Sequence, residues 1–152
     1  MRIALYQPDI PQNTGTILRL AACLSVDVDV ILPAGFDLAD RALRRAGLDY
    51  LEHVRLTRHA EWESFLASTR DAGRRLVLLT TKAEQRHVDL SYGARDVLVL
   101  GRETSGVPEH VHAACDARVV IPMIAGVRSL NVAVAAAMVL GEALRQTNGY
   151  PA

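Results

Sequence analysis

The sequence predicts an α/β fold, a mostly parallel sheet with helices on both faces, in a single domain spanning residues 1–152. Three observations carry this expectation. Six short apolar runs alternate with stretches of helical periodicity, several of the runs lack the polar alternation of a half-exposed strand, and half of the 152 residues are apolar, enough for one core.

Arg2 to Tyr6 (RIALY) opens as a buried strand, which Pro8 and Pro11 break into a loop. Asn13 is placed to cap a helix whose apolar positions Ile17, Leu20, Ala21 and Leu24 keep helical spacing. Val26 to Leu32 (VDVDVIL) reads as the second strand, punctuated by Pro33 and Gly35, and Asp37 to Ala46 as a helix closed by Gly47, with Asp40 and Arg44 one turn apart. A weak strand over Tyr50 to Leu56 precedes a helix from His59 to Ala72, whose stripe Trp62, Phe65, Leu66 and Thr69 would face the core. Leu76 to Leu79 and Val97 to Leu100 are further strands, Pro108 opens a short helix, and Val119 to Ile121 is a last strand ending at Pro122. Ser129 starts the final helix, which runs to Gln146. Its stretch Val132 to Leu140 is apolar nearly all round, and reads equally as a core helix or as one packed between two copies of the chain.

The composition excludes several classes. At 22% charged residues, with no block of like charge and no Ser/Gly/Pro-rich tract, the chain is neither disordered nor fibrous. Seventeen basic residues balance seventeen acidic ones, so any nucleic-acid contact is local rather than a matter of bulk charge. Cys23 and Cys115 have neither disulfide-framework nor zinc-ligand spacing, which fits a reducing, cytoplasmic setting. The N-terminus lacks the long apolar region of a secretory signal, and Val132 to Leu140 is too short to cross a bilayer, so no membrane partner is expected. No metal is expected either, because His110 and His112, the pair that with Cys115 suggests ligation, fall on different faces of a helix.

In an open α/β sheet ligands sit off the carboxyl ends of the strands. Three segments there offer backbone and small polar groups: Leu79 to Lys82, Gly101 to Gly106 (GRETSG), and Ile121 to Asn131 (IPMIAGVRSLN). GRETSG suits close backbone approach to a ligand, with Glu103 able to accept from a hydroxyl or an ammonium, and it reads equally as a plain strand-to-helix turn. It is neither a dinucleotide fingerprint nor a Walker loop, so triphosphate hydrolysis has no support. Arg41, Arg44 and Arg45 form a basic helix edge, either a solvated face or a contact for RNA.

NTGTILR at Asn13 to Arg19, LGRETSGVP at Leu100 to Pro108, and the segment from IPM at Ile121 through RSLNVAVAAAMVLGEALRQ to Gln146 stand together in one order and spacing. With LYQPDIPQNTG, RRAGLDY and LTTK, they make the whole chain resemble the SPOUT-superfamily RNA methyltransferases, and more narrowly the small tRNA ribose 2′-O-methyltransferases acting on the wobble nucleotide, cytidine or uridine 34. The resemblance implies a C-terminal trefoil knot, a homodimer that completes each active site, S-adenosylmethionine as cofactor, and the tRNA anticodon stem-loop, not DNA, as partner. It implies that Leu79, Gly101, Ile121, Met123, Ser129 and Leu130 hold the cofactor, and that Asn13, Arg19, Glu103, Ser129 and Asn131 stand around the methyl-transfer centre. Two positions depart from the family pattern: Arg102 stands where relatives often carry proline, offering an extra phosphate contact, and Gly141 where they often carry an aromatic.

The chemistry needs a ribose hydroxyl aligned with a sulfonium methyl, a phosphate held beside it, and a route for a proton. Arg19, the family's usual candidate base, stays protonated in proteins, so it suits a phosphate clamp and alkoxide stabiliser better. The competing expectations are a ribose methyltransferase acting at another tRNA or rRNA site, and a non-catalytic nucleotide-binding α/β module whose polar residues are only caps and turns.

Overall fold

A computed structural model describes residues 1–39, 45 and 48–152. Among them, six parallel strands form one sheet in the order β3-β2-β1-β5-β4-β6: β1 (Arg2–Tyr6), β2 (Asp27–Ile31), β3 (Leu56–His59), β4 (Leu76–Leu79), β5 (Val97–Leu100) and β6 (Ala117–Val119). The register is continuous across the centre, where Ala4 of β1 lies between Asp29 of β2 and Val99 of β5.

Both sheet faces are covered, as unbroken apolar strands require. Ile3 and Leu5 of β1 and Leu98 and Leu100 of β5 face α1 (Pro11–Cys23) and α4 (Val132–Thr147), while Ala4, Tyr6, Val97 and Val99 face α2 (Trp62–Asp71) and α3 (Glu109–Ala114). Trp62 and Phe65, one helical step apart, anchor the second layer. Phe65 is 1% exposed and packs edge-on against His59, and burying such a ring contributes roughly 1.5–3 kcal/mol. The acids of β2 are resolved by pairing: buried Asp29 accepts from Arg2 Nε at 2.7 Å and lies 2.8 Å from His59 Nε2, which satisfies a charge that burial alone would penalise.

Several boundaries differ from the sequence expectation. Asp37 to Ala39 form a turn in which Asp37 Oδ1 accepts from the Ala39 N–H, and Arg45 is helical; the rest of the expected helix, Arg41 and Arg44 included, lies outside the described residues. The expected strand at Tyr50–Leu56 is instead a 3₁₀ helix over Leu48–His53, with β3 following it, so His59 ends a strand rather than starting a helix. β6 sits two residues earlier than expected, and Val120 beyond it bridges to Arg86.

The strand order reverses between β1 and β5. The chain runs outward from β1 through β2 and β3, then resumes on the other side, which makes the carboxyl ends of β1 and β5 the switch point where α/β sheets bind ligands. After β6 at the edge, the chain returns so that α4 packs on α1 and β5. The segment 80–96 between β4 and β5 lies against α4: Gln146 Nε2 donates to the Leu90 carbonyl, and Gln146 Oε1 accepts from the Tyr92 N–H, both at 3.0 Å.

Candidate active site

At the switch point the GRETSG turn closes on itself. Arg102 and Gly106 exchange backbone hydrogen bonds at 2.9 Å in both directions. A Cβ on Gly101 would stand 2.7 Å from the Gly106 carbonyl carbon, and Gly106 has φ +67°, so glycine is needed at both ends. The turn holds Glu103 over the start of α1. Its carboxylate accepts from the Asp9 N–H at 2.8 Å, the Ile10 N–H at 3.3 Å and Asn13 Nδ2 at 3.4 Å.

That geometry corrects the capping role expected of Asn13. α1 begins at Pro11, its N-cap residue Ile10 has no capping side chain, and the Ile10 N–H donates instead to the Glu103 carboxylate from a loop some ninety residues away, a negative charge favourably placed at the positive end of the helix. Asn13 lies inside the first turn and faces sideways, where its Oδ1 accepts from Asn131 Nδ2 at 2.9 Å. Asn131, not Ser129, caps the final helix: its Oδ1 accepts from the Ala133 and Val134 N–H groups at 2.8 and 3.3 Å. Glu103, Asn13 and Asn131 thus form one hydrogen-bonded line joining β5, α1 and α4.

Arg19 does not join that line. Six positions beyond Asn13 on α1, it projects about 120° away around the helix, exposed, with its guanidinium carbon 4.7 Å from the centre of the Tyr50 ring and Nη2 3.4 Å from the Tyr50 hydroxyl. The stack fixes the plane of the guanidinium, and among the described residues the Tyr50 hydroxyl is the one hydrogen-bond partner of the Arg19 side chain.

Arg102, expected as a free phosphate contact, is engaged within the protein. Its Nε donates to Asp9 Oδ1 at 3.1 Å and its Nη2 pairs with the same carboxylate. Hydrogen bonds from Arg102 hold the Asp9 carboxyl below the usual carboxylate range. Asp9 and Tyr50 are site residues the sequence did not single out. Asp9 lies in the LYQPDIPQNTG segment and Tyr50 at the end of RRAGLDY, but nothing local to either residue points to its partner.

Among the proposed cofactor residues, Leu79, Gly101, Ile121 and Met123 are half-buried at the ends of the neighbouring strands β4, β5 and β6, while Ser129 and Leu130 are exposed. Among the described residues, the backbone of segment 121–130 has no hydrogen bond to the rest of the chain, and while Ile121 packs on the core, the apolar side chains of Ile124, Val127 and Leu130 are exposed. Ile124 is 80% exposed and Val127 51%. The segment offers what an adenosine group requires, backbone donors and acceptors beside apolar surface. His110, His112 and Cys115 do not converge: His110 is exposed, Cys115 is buried, and His112 Nδ1 accepts from Arg118. Among the described residues no helix is long and apolar enough to cross a membrane.

Known proteins resemble this chain in sequence and in fold. A tRNA (cytidine(34)-2′-O)-methyltransferase of Beijerinckia indica is 62% identical over 144 residues, covering 95% of this chain and 90% of that protein. A solved structure bearing on 2-OH methylation of C/U34 on tRNA superposes with a TM-score of 0.91 at 40% identity, covering 95% of this chain and 94% of that one. The SpoU methyltransferase AviRb of Streptomyces viridochromogenes, solved with AdoMet, matches with a TM-score of 0.87 at 28% identity over 96% of this chain and 60% of that one. The SpoU rRNA Methylase family pattern matches residues 1–141, and the chain belongs to that family.

Proposed function

We propose that this protein methylates the ribose 2′-hydroxyl of the tRNA wobble nucleotide, cytidine or uridine 34, with S-adenosylmethionine as donor. The observation that carries the reading is the line Glu103–Asn13–Asn131 at the switch point, next to the three strand ends whose loops suit the cofactor, in a chain so similar to enzymes of that activity. In this reading the chain is a single domain that carries its own share of the site, and a role in modifying tRNA belongs in the cytoplasm.

Leu79, Gly101, Ile121, Met123, Ser129 and Leu130 would hold the cofactor through backbone groups and apolar contact. Bound there, S-adenosylmethionine supplies an electrophilic sulfonium methyl. Glu103 is not the base in this reading, because its carboxylate is already committed to two backbone N–H groups and Asn13. It fixes the loop, and Asn13 and Asn131 present their amides to the ribose. Arg19, held flat on Tyr50, clamps the phosphate beside that ribose and stabilises alkoxide charge, while the hydroxyl proton passes to water.

Two features support a homodimer and a site shared across it. Arg19 faces away from its own chain's Glu103 line, as expected if it serves the cofactor site of a second copy. Exposed apolar side chains, Val127, Leu130, Val134 and Met138, follow one another along the cofactor loop and α4, a surface that a second copy would cover. C-terminal knotting is supported by the return of α4 beneath segment 80–96, tied there through Gln146. The anticodon stem-loop would meet Arg19 and the exposed Arg45, with Arg41 and Arg44 beside it in sequence.

The test is methyl transfer from labelled S-adenosylmethionine to unmethylated tRNA, with the labelled nucleoside mapped by mass spectrometry. Label as 2′-O-methylcytidine or 2′-O-methyluridine at nucleotide 34 supports the proposal. Label at another ribose replaces the substrate assignment, and cofactor binding without transfer to any RNA leaves a binding module.

A further inference from the structure

The geometry points to Asp9 and Arg102 as a positioning pair for methyl transfer: a clasp between the β1–α1 loop and the GRETSG turn that sets Glu103, and through it Asn13 and Asn131. The inference rests on the reaction proposed above, though not on which nucleotide is methylated.

The clasp is reciprocal. Asp9 reaches into the turn, where its carboxylate accepts from Arg102 Nε, from Thr104 Oγ1 at 2.6 Å and from the Thr104 N–H at 3.4 Å. Glu103, lying between those two donors in sequence, reaches back and accepts from the backbone N–H of Asp9 at 2.8 Å. Each loop therefore holds a carboxylate of the other, and residues 102, 103 and 104 all point their polar groups at residues 9 and 10. The first loop is braced from behind, since Gly35 N–H donates to the Pro8 carbonyl at 2.8 Å.

The pair is only partly open to water, with side-chain exposures of 13% for Asp9 and 37% for Arg102. Screening is correspondingly incomplete, and the bond between Arg102 and Asp9 is bidentate, the geometry in which arginine cannot be replaced by lysine without loss. A guanidinium so engaged has little attraction left for an RNA phosphate. If instead Arg102 served the RNA, Asp9 would oppose it by cancelling its charge beside a polyanion.

The two roles give opposite signs in one experiment on the full-length protein with tRNA and S-adenosylmethionine. For the clasp, Arg102→Ala and Asp9→Ala each lower kcat about tenfold, leave KM for tRNA and its salt dependence within twofold of the parent, and are no worse together than singly. The charge-reversed pair Asp9→Arg with Arg102→Asp recovers part of the loss. In RNA-free protein, both single variants speed amide hydrogen exchange in residues 101–106. An RNA-contact role gives a raised KM and a shallower salt slope for Arg102→Ala, a lowered KM for Asp9→Ala, and unchanged exchange, and that pattern overturns the clasp. Should Asp9→Ala fail to fold, Arg102→Ala alone still decides, through its kcat, its salt slope and its exchange. Parent activity at a nucleotide other than 34 corrects the substrate and leaves these comparisons to be run on it.

Discussion

Asn131 Nδ2 donates to Asn13 Oδ1 at 2.9 Å, joining the first turns of α4 and α1 across 118 positions of sequence. The same Asn131 caps α4 with its other amide atom, so capping and tying are separable by substitution. Asn131→Asp keeps the acceptor and adds a charge favourable at a helix N-terminus, but it sets an oxygen against Asn13 Oδ1. The expected outcome is a melting temperature near the parent's with methyl transfer reduced at least about tenfold, the loss expected when one oriented transition-state contact goes. Asn131→Ala should lose activity and also about 1 kcal/mol of stability, read by urea unfolding. An active Asn131→Asp protein would show that the tie does not serve the reaction.

Arg19 and Tyr50 separate two chemistries. Arg19→Lys preserves the charge but loses the planar fork and the stack on the ring, so a phosphate clamp predicts a fall in kcat/KM of about a hundredfold. A general base predicts the opposite, since a lysine amine can release its proton; activity would then be kept and would climb with pH. Tyr50→Phe retains the ring and removes only a hydroxyl 3.4 Å from the guanidinium, and should stay within about threefold of the parent in a steady-state assay.

What was legible in the sequence is what local chemistry determines. β1, β4 and β5 are short apolar runs with turn residues at their ends, and their bounds match expectation. The three strand-end loops were also legible, because the ligand rule for α/β sheets needs only strand direction. Pro11 reads in sequence as a break after β1, whereas it stands at the first helical position of α1, where proline is a start signal. The carboxylate at that helix start, Glu103, comes from another loop, which no local pattern announces. Arg102 reads in sequence as an RNA contact for the same reason, since its partner Asp9 is distant in sequence and adjacent only through the pairing of β1 with β5.

The two cysteines should differ sharply in reactivity. Cys115 is 4% exposed and burial pushes its thiol up to about 12, so almost none of it is thiolate near neutral pH, whereas Cys23 is exposed at the end of α1. A disulfide reagent at pH 8 should titrate one thiol per native chain, and the second only after unfolding. Rapid reaction of both would mean that the layer of α2 and α3 opens on the time scale of labelling.

Gly141 gives a stability prediction with a definite sign. It lies inside α4, where glycine costs roughly 0.5–1 kcal/mol relative to alanine. A Cβ there would stand 3.2 Å from the Tyr150 hydroxyl, which donates to the Gly141 carbonyl at 3.1 Å. Tyr150 is half exposed near the chain end, so its hydroxyl can yield at little cost, and Gly141→Ala should stabilise the protein by up to about 1 kcal/mol. The gain should grow in a Tyr150→Phe background, where nothing opposes the new methyl, and both are read as urea midpoints at matched protein concentrations, one of them about tenfold more dilute. Destabilisation of both backgrounds, steeper on dilution, would mean that the methyl meets a second copy of the chain, because among the described residues only the Tyr150 hydroxyl stands within reach of it.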